Sequence, residues 1–260
     1  GATVNKPDLV DIYVLKMNPD NPNQYRLDGE WRDLEVGEVK LKLKLWGFIP
    51  WSVKREVLRS VHGPALRTEH GVYAIRYAGI DEMKQVEQWL AMNKAKNFEE
   101  WSAAVALNHI QSFNFVYANR HGDIHFIHNA QLPVRAPGWN WQQYLPGDRS
   151  DLIWQRYHPT SALPQVTNPE SGFVHSANQT PFNITEPEDN PQPSAVPADG
   201  GWQTRMTNRA TRGLELFADF EQISFDEAWE LKHDNRYSVN YRGIAFLSEV
   251  IALPRSSDTA

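Results

Sequence analysis

The chain has 260 residues, 41% hydrophobic and 12% aromatic with ten Trp, and a formal net charge of −6. This is a globular composition, long enough for one large core or two modest ones, and without a long basic run it argues against nucleic acid or a membrane as partner. The lack of Cys excludes disulfides, thiolate metal sites and a thiol nucleophile within the chain, and fits a periplasmic or secreted protein. No apolar run approaches membrane-spanning length, and Gly1-Ala2-Thr3 lacks a charged-then-apolar leader, so the chain is expected to begin as a mature product or in mid-protein.

Residues 10–17, rich in β-branched and aromatic side chains, predict a strand that ends in the turn cluster Asn18-Pro19-Asp20-Asn21-Pro22-Asn23. Asp28-Gly29 predicts a tight turn, with Trp31 opening the next strand. Over residues 38–45, Val39, Leu41, Leu43 and Leu45 alternate with Glu38, Lys40, Lys42 and Lys44, the period of a strand with one wet face. The lysine row reads as that solvated face, with a binding stripe as the alternative. Residues 53–61 and 72–78 predict two further strands separated by a turn at Val61-His62-Gly63-Pro64, where His62 reads as a local hydrogen-bonding group rather than a catalytic one.

Helical spacing covers residues 81–93 and 98–107, the second opened by Asn97 with Glu100 three residues on, a capping-box pattern. Residues 113–117 and 124–127 flank Asn119-Arg120-His121-Gly122-Asp123 and predict a hairpin. There His125 and His128 fall on opposite faces and His121 in the turn, which disfavours a shared zinc ion. Residues 129–148 are loop-rich, and their Trp139 and Trp141 either line an apolar pocket or plug a core.

In the stretch 168–182, Pro169 disfavours helix at Asn168, Gly172 permits a sharp bend before the strand-like Phe173-Val174, and Pro181 blocks ladder pairing beyond Asn178. A carboxamide fixed in such a turn can donate to a developing oxyanion, which needs preorganised donors; the alternative is an Asx turn in which Asn178 bonds only its own backbone. Residues 184–200, with four Pro and four acids, predict a surface loop. Residues 203–220 predict a helix, Ser224 with Glu227 caps another through Lys232, residues 243–253 form an amphipathic segment, and residues 255–258 look frayed. With strands first and helices last, the fold class is α+β.

Several of these stretches, in this order, resemble the β-subunit of the penicillin acylase family, which includes penicillin acylases and acyl-homoserine lactone acylases. They are Asp8-Leu9-Val10-Asp11-Ile12-Tyr13, Asn18-Pro19-Asp20-Asn21-Pro22, Asp28-Gly29-Glu30-Trp31, His62-Gly63-Pro64, Asn114-Phe115-Val116-Tyr117-Ala118, Asn168-Pro169-Glu170-Ser171-Gly172 and Thr207-Asn208-Arg209. The resemblance implies an N-terminal-nucleophile hydrolase with an αββα sandwich that cleaves the amide of a small N-acyl substrate, with the amine of the nucleophile as base. It places Gly1 several dozen residues inside the β-subunit, so the nucleophile is expected outside this chain, which alone should be inactive and should pair with an α-subunit and the remaining β-subunit segments. Asn178 matches the family's oxyanion-hole Asn, Val4 the position whose backbone N–H is the second donor, and Arg209 an Arg near the nucleophile's amine. No cofactor is implied for the chemistry. Asp8, Val10 and Asp11 match a structural calcium site of some members. The alternative is a non-catalytic binding or structural module of the same fold.

Overall fold

The structure is a computed structural model that describes residues 1–218, 220 and 222–253; residues 255–258, read as frayed, lie outside the described residues. A short strand β1 (Ala2–Thr3) is followed by β2 (Val10–Leu15), β3 (Met17–Asn18), β4 (Asn21–Leu27), β5 (Glu30–Asp33), β6 (Glu35–Leu45), β7 (Ile49–Ser60), β8 (Gly63–Thr68) and β9 (Gly71–Tyr77). Next come helices α1 (Gln85–Lys94) and α2 (Phe98–Ala106), and the hairpin β10 (Ser112–Ala118) and β11 (Ile124–Ala130). Two short strands, β12 (Leu145–Pro146) and β13 (Gln165–Thr167), precede helices α3 (Asn208–Ala218), α4 (Phe225–Lys232) and α5 (Arg242–Ala252). The α+β reading, strands first and helices last, therefore holds.

Where the elements depart from the sequence reading, local chemistry explains it. The cluster at 18–23 contracts to a turn at Pro19-Asp20 between β3 and β4, tightened by the Asn18 side chain accepting from Asp20 N–H at 3.0 Å. The chain reverses at Val61-His62, and Gly63-Pro64 already belong to β8. At Gly63 (φ 142°) a Cβ would lie 2.2 Å from the Ile75 carbonyl, so only glycine allows β8 to approach β9 there. Phe173-Val174 is unpaired, and the strand of that region is β13 instead. The helix expected from residue 203 starts at Asn208, because the Thr207 hydroxyl accepts from Ala210 N–H and marks the helix entry; residues 202–207 stay outside regular structure.

Contacts divide the chain into two compact units. The first comprises Gly1–Pro7, Gln88–Ala130 and the described residues from Pro159 on. Its sheet, in the order β1-β10-β11-β13, is antiparallel throughout. One face, carrying Phe113, Phe115 and Ile127, packs on Trp89, Met92, Trp101 and Val105 of α1 and α2. Buried Gln88 joins the helices to the sheet, accepting from the N–H groups of His109 and Ile110 at 2.7 Å each and donating to the Val105 carbonyl. The opposite face presents Asn114 and His128, cross-strand partners in the register.

The second unit, Asp8–Glu87 with Gln131–His158, holds a six-stranded sheet in the order β12-β2-β9-β8-β7-β6 and the meander β3-β4-β5. Its core gathers Tyr13, Leu15, Tyr25, Leu27, Leu58, Val72, Leu145 and Leu152. His62 belongs here too: fully buried, its ring lies 4.6 Å from that of Tyr13 at a tilt of 40°, and burial followed by the charge of Arg76 holds its imidazole down at about 4. Trp141 packs against this core, while Trp139 sits on its rim under Arg149.

Candidate active site

Within the first unit, the residues around Asn178 form a turn whose polar groups are nearly all bound. Asn178 adopts φ 61°, a left-handed conformation that Asn tolerates better than most side chains. Buried Gln179 staples the turn: its Oε1 accepts from Ala177 N–H at 2.6 Å, and its Nε2 donates to the carbonyls of His175 and Asn183. The Ser176 hydroxyl meets that of Thr3 in β1 at 2.9 Å. The Asx-turn alternative is not what forms, because the Asn178 side chain bonds residues distant in sequence.

Arg209, one residue into α3, donates from Nη2 to Asn178 Oδ1 at 3.0 Å and to the Ala177 carbonyl at 3.2 Å. Asn178 Nδ2 donates to the Val4 carbonyl at 2.7 Å. With Oδ1 and one N–H held, the direction of the second N–H is fixed. Val4 follows the edge strand β1. Its carbonyl accepts from Asn178 Nδ2 and also, at 3.4 Å, from Asn114 Nδ2 of β10, so the segment just past β1 is held between the hairpin and the Asn178 turn. The sequence reading thus names three residues, Val4, Asn178 and Arg209, that the fold joins in one hydrogen-bonded chain.

Val4 and Asn178 line a cleft of about 530 Å³ together with Lys6, Trp202, Gln203, Thr204, Arg205 and Thr207. Its formal charges are both positive. Trp202 is held by donating from Nε1 to the Pro197 carbonyl at 2.8 Å, and its ring lies edge-on to buried His128, centroids 5.5 Å apart. A Cβ at Gly200 would fall 2.2 Å from that indole, so glycine makes room for it. Lys6, Gln179, Trp202 and Arg205 escaped the sequence reading; the pair Gly200-Gly201 before Trp202 was the one local signal available. His175, in the same turn, packs against Gly213 and Phe217, and burial together with the Arg209 charge lowers it to about 4.

Asp8, Val10 and Asp11 lie in the second unit. The guanidinium of Arg135 takes the central place: Nε donates to Asp11 Oδ2 at 3.0 Å, while Nη2 lies 3.3 Å from Asp8 Oδ1 and donates to the Asp8 carbonyl at 3.2 Å. Trp154 Nε1 adds a 2.6 Å bond to Asp11 Oδ2, and Gln142 Nε2 one of 2.7 Å to Asp8 Oδ2. Burial pushes the Asp11 carboxyl upward, against the pull of Arg135 and the Trp154 N–H. A hard cation needs six or more oxygens free of donors. Here three of the four carboxylate oxygens face N–H groups, Asp11 Oδ1 alone is buried without a partner, and Val10 is half exposed. As it stands, this donor set fits a guanidinium and not calcium. No group of three or more His, Cys, Asp or Glu able to hold a metal occurs among the described residues, and His125 and His128 take opposite faces of β11, against Trp101 and Trp202 respectively.

Comparison with known proteins identifies the family of the chain. The sequence profile of the family described as penicillin amidase matches residues 1–259. Penicillin G acylase of Escherichia coli is 26% identical over 250 residues, 93% of this chain and 27% of that protein. The acyl-homoserine lactone acylase PvdQ of Pseudomonas fluorescens (strain Pf0-1) is 28% identical over 110 residues, 40% of this chain and 14% of that protein. Among solved structures, a thermostable penicillin G acylase from Alcaligenes faecalis superimposes with a TM-score of 0.72 at 26% identity, covering 98% of this chain and 45% of that one. The α+β topology is thus similar to that of an N-terminal-nucleophile hydrolase, and the chain spans less than half the length of these relatives.

Proposed function

The chain belongs to the penicillin amidase family, and from that premise we propose that it forms the oxyanion-binding part of a hydrolase of N-acyl amides whose nucleophile is supplied by a segment outside these 260 residues. The observation that carries this reading is the clamped carboxamide of Asn178, with Oδ1 on Arg209 and one N–H on Val4. When a nucleophile adds to the substrate carbonyl carbon, the oxygen gains a full negative charge. The remaining N–H of Asn178 and the N–H of Val4 donate to it without having to reorient, which is where such donors contribute most. Arg209, Lys6 and Arg205 add positive potential around the same cleft, Arg209 from behind the carboxamide and the other two from its lining. The positive charge of Arg209 also disfavours protonation of a neighbouring amine, which suits an N-terminal base.

The limited share of the relatives' length supports a division of labour in which an α-subunit and further β-subunit segments complete the acyl pocket. Substrates of the penicillin type and N-acyl homoserine lactones are the two classes that the relatives' names suggest. The test is to assay the longer parent polypeptide on a panel of N-acyl amides of different acyl length, beside the present chain and an Asn178→Ala parent. The parent turns over at least one substrate, the isolated chain none, and Asn178→Ala lowers turnover by about a hundredfold or more with the fold retained. Near-normal turnover in that variant removes Asn178 from the mechanism and leaves the turn a structural or binding device.

A further inference from the structure

The ribbon made by β6 and β7 is paired over its whole length, from Glu35↔Arg59 to Leu45↔Ile49, but β8 joins it only at Leu58–Ser60. From Glu38↔Glu56 to the tip, roughly 25 Å, it carries no third strand among the described residues. Directly opposed residues share a face, so the register sorts the ribbon into an apolar and a polar side, with Arg55, opposite Val39, as the exception. One side holds Val39, Leu41, Leu43, Leu45, Ile49, Trp51 and Val53, six of them at least 37% exposed, with Arg55 as its charged residue at the end away from the tip. The other holds Lys40, Lys42, Lys44 and Lys54 with Glu38 and Glu56. Glu38 is taken by Lys54 at 2.8 Å and Glu56 by Arg67 at 3.4 Å, so Lys40, Lys42 and Lys44 have no carboxylate partner among the described residues.

The tip adds an independent observation. Trp46 sits at φ 51° and Gly47 at φ 82°, a conformation that suits Asn-Gly or Asp-Gly, as at Asp28-Gly29 (φ 50° and 89°), and that strains a bulky aromatic residue. The turn itself gains nothing from Trp46, and Trp46 and Phe48 are 82% and 75% exposed. Strain of this kind at an exposed aromatic residue points to a role outside the fold.

We propose that this ribbon is a membrane-surface anchor that lays its apolar face and the Trp46–Phe48 tip into the interfacial layer of an anionic lipid bilayer. A two-stranded ribbon has unpaired N–H and C=O groups along both edges, so it cannot cross the hydrocarbon core, but it can lie flat at headgroup depth. There aromatic rings are favoured, and lysines on the upper face reach the phosphates. The lysine row is why lipid fits better than a second copy of the chain: two copies stacked apolar face to apolar face would leave the cations and the strained tip without a use. A net charge of −6 conceals this, because the cations are concentrated on one side of one hairpin.

Co-sedimentation of the 260-residue chain with vesicles tests the proposal. Partition into phosphatidylcholine vesicles containing 30% phosphatidylglycerol is expected to exceed that into pure phosphatidylcholine by at least about tenfold and to fall in 0.5 M salt. Combining W46S with F48S should reduce binding to the anionic vesicles by about tenfold or more. Combining K40Q, K42Q and K44Q should abolish the lipid preference while leaving the tip-dependent residue of binding; all five positions are exposed, and unchanged urea midpoints serve as the folding control. Failure of the wild-type chain to bind, binding indifferent to the tip variant, or a lipid-free dimer that the tip variant dissociates would each overturn it, the last by making a second copy the partner.

Discussion

The turn at Asn178 and the cluster at Asp11 use the same means, an Arg side chain closing on short polar side chains, and reach opposite ends. At Asp11 the guanidinium of Arg135, 1% exposed, meets carboxylates that also take bonds from Trp154 and Gln142. Its charge is balanced inside the fold. At Asn178 the guanidinium of Arg209 lies at the surface and grips a neutral carboxamide, so neither its charge nor the second N–H of the amide is used up by the protein. A closed set of partners stabilises, whereas a held but incomplete set is available to a ligand.

Variants of the two arginines should separate the roles. Arg135→Ala leaves buried Asp11 without its counter-charge and is expected to cost about 3–5 kcal/mol of stability, read from urea unfolding of the chain. A loss below about 1 kcal/mol would mean that Asp11 is not held as an ion pair. Smaller is the effect of the histidines, which complicates the contrast because burial rather than an ion pair sets their charge, although the rings of His62, His125 and His175 meet Ser60, Thr167 and Gln179. His62, His125 and His175 are lowered to about 4 and His128 to about 3, each chiefly by burial. Unfolding lets them protonate at the ordinary value near 6.5. Stability is therefore full above about pH 6.5 and declines as pH falls towards 4, where the unfolded chain binds more protons. Neither ring nitrogen of His128 has a partner, so His128→Phe should remove about 2 kcal/mol of the loss between pH 7 and pH 5; an unchanged pH slope would show that His128 is not held neutral. Smallest is Arg209→Ala. It releases Oδ1 of Asn178 and should lower turnover in the parent by about tenfold while moving the urea midpoint little. If it instead unfolds the chain, the contrast between the two arginines fails.

Local features were readable wherever a single segment carries its own signal. The hairpin at Asn119–Asp123, the Asn97 cap of α2 and the complete Ser224–Glu227 capping box all form as the residue pattern predicts. The lysine-leucine alternation of β6 does form a strand, but not one with a single wet face, because its leucine side is exposed as well. That the β6–β7 ribbon has no third strand along most of its length among the described residues depends on where β8 leaves β7, and spacing cannot reveal that.

By itself the sequence determined the α+β class, the penicillin amidase resemblance and the residue types at Val4, Asn178 and Arg209, because turn formers, strand alternation and ordered motifs are properties of neighbouring residues. Only the tertiary structure decided what those residues face. Bonds spanning 174 positions from Asn178 to Val4 and 31 from Asn178 to Arg209 exist because an edge strand, a turn and a helix start converge. The same holds for Asp11, whose ion pair with Arg135 spans 124 positions. Hydrogen bonds and charges act over a few ångströms in space, and chain separation sets no limit on which groups the fold brings that close.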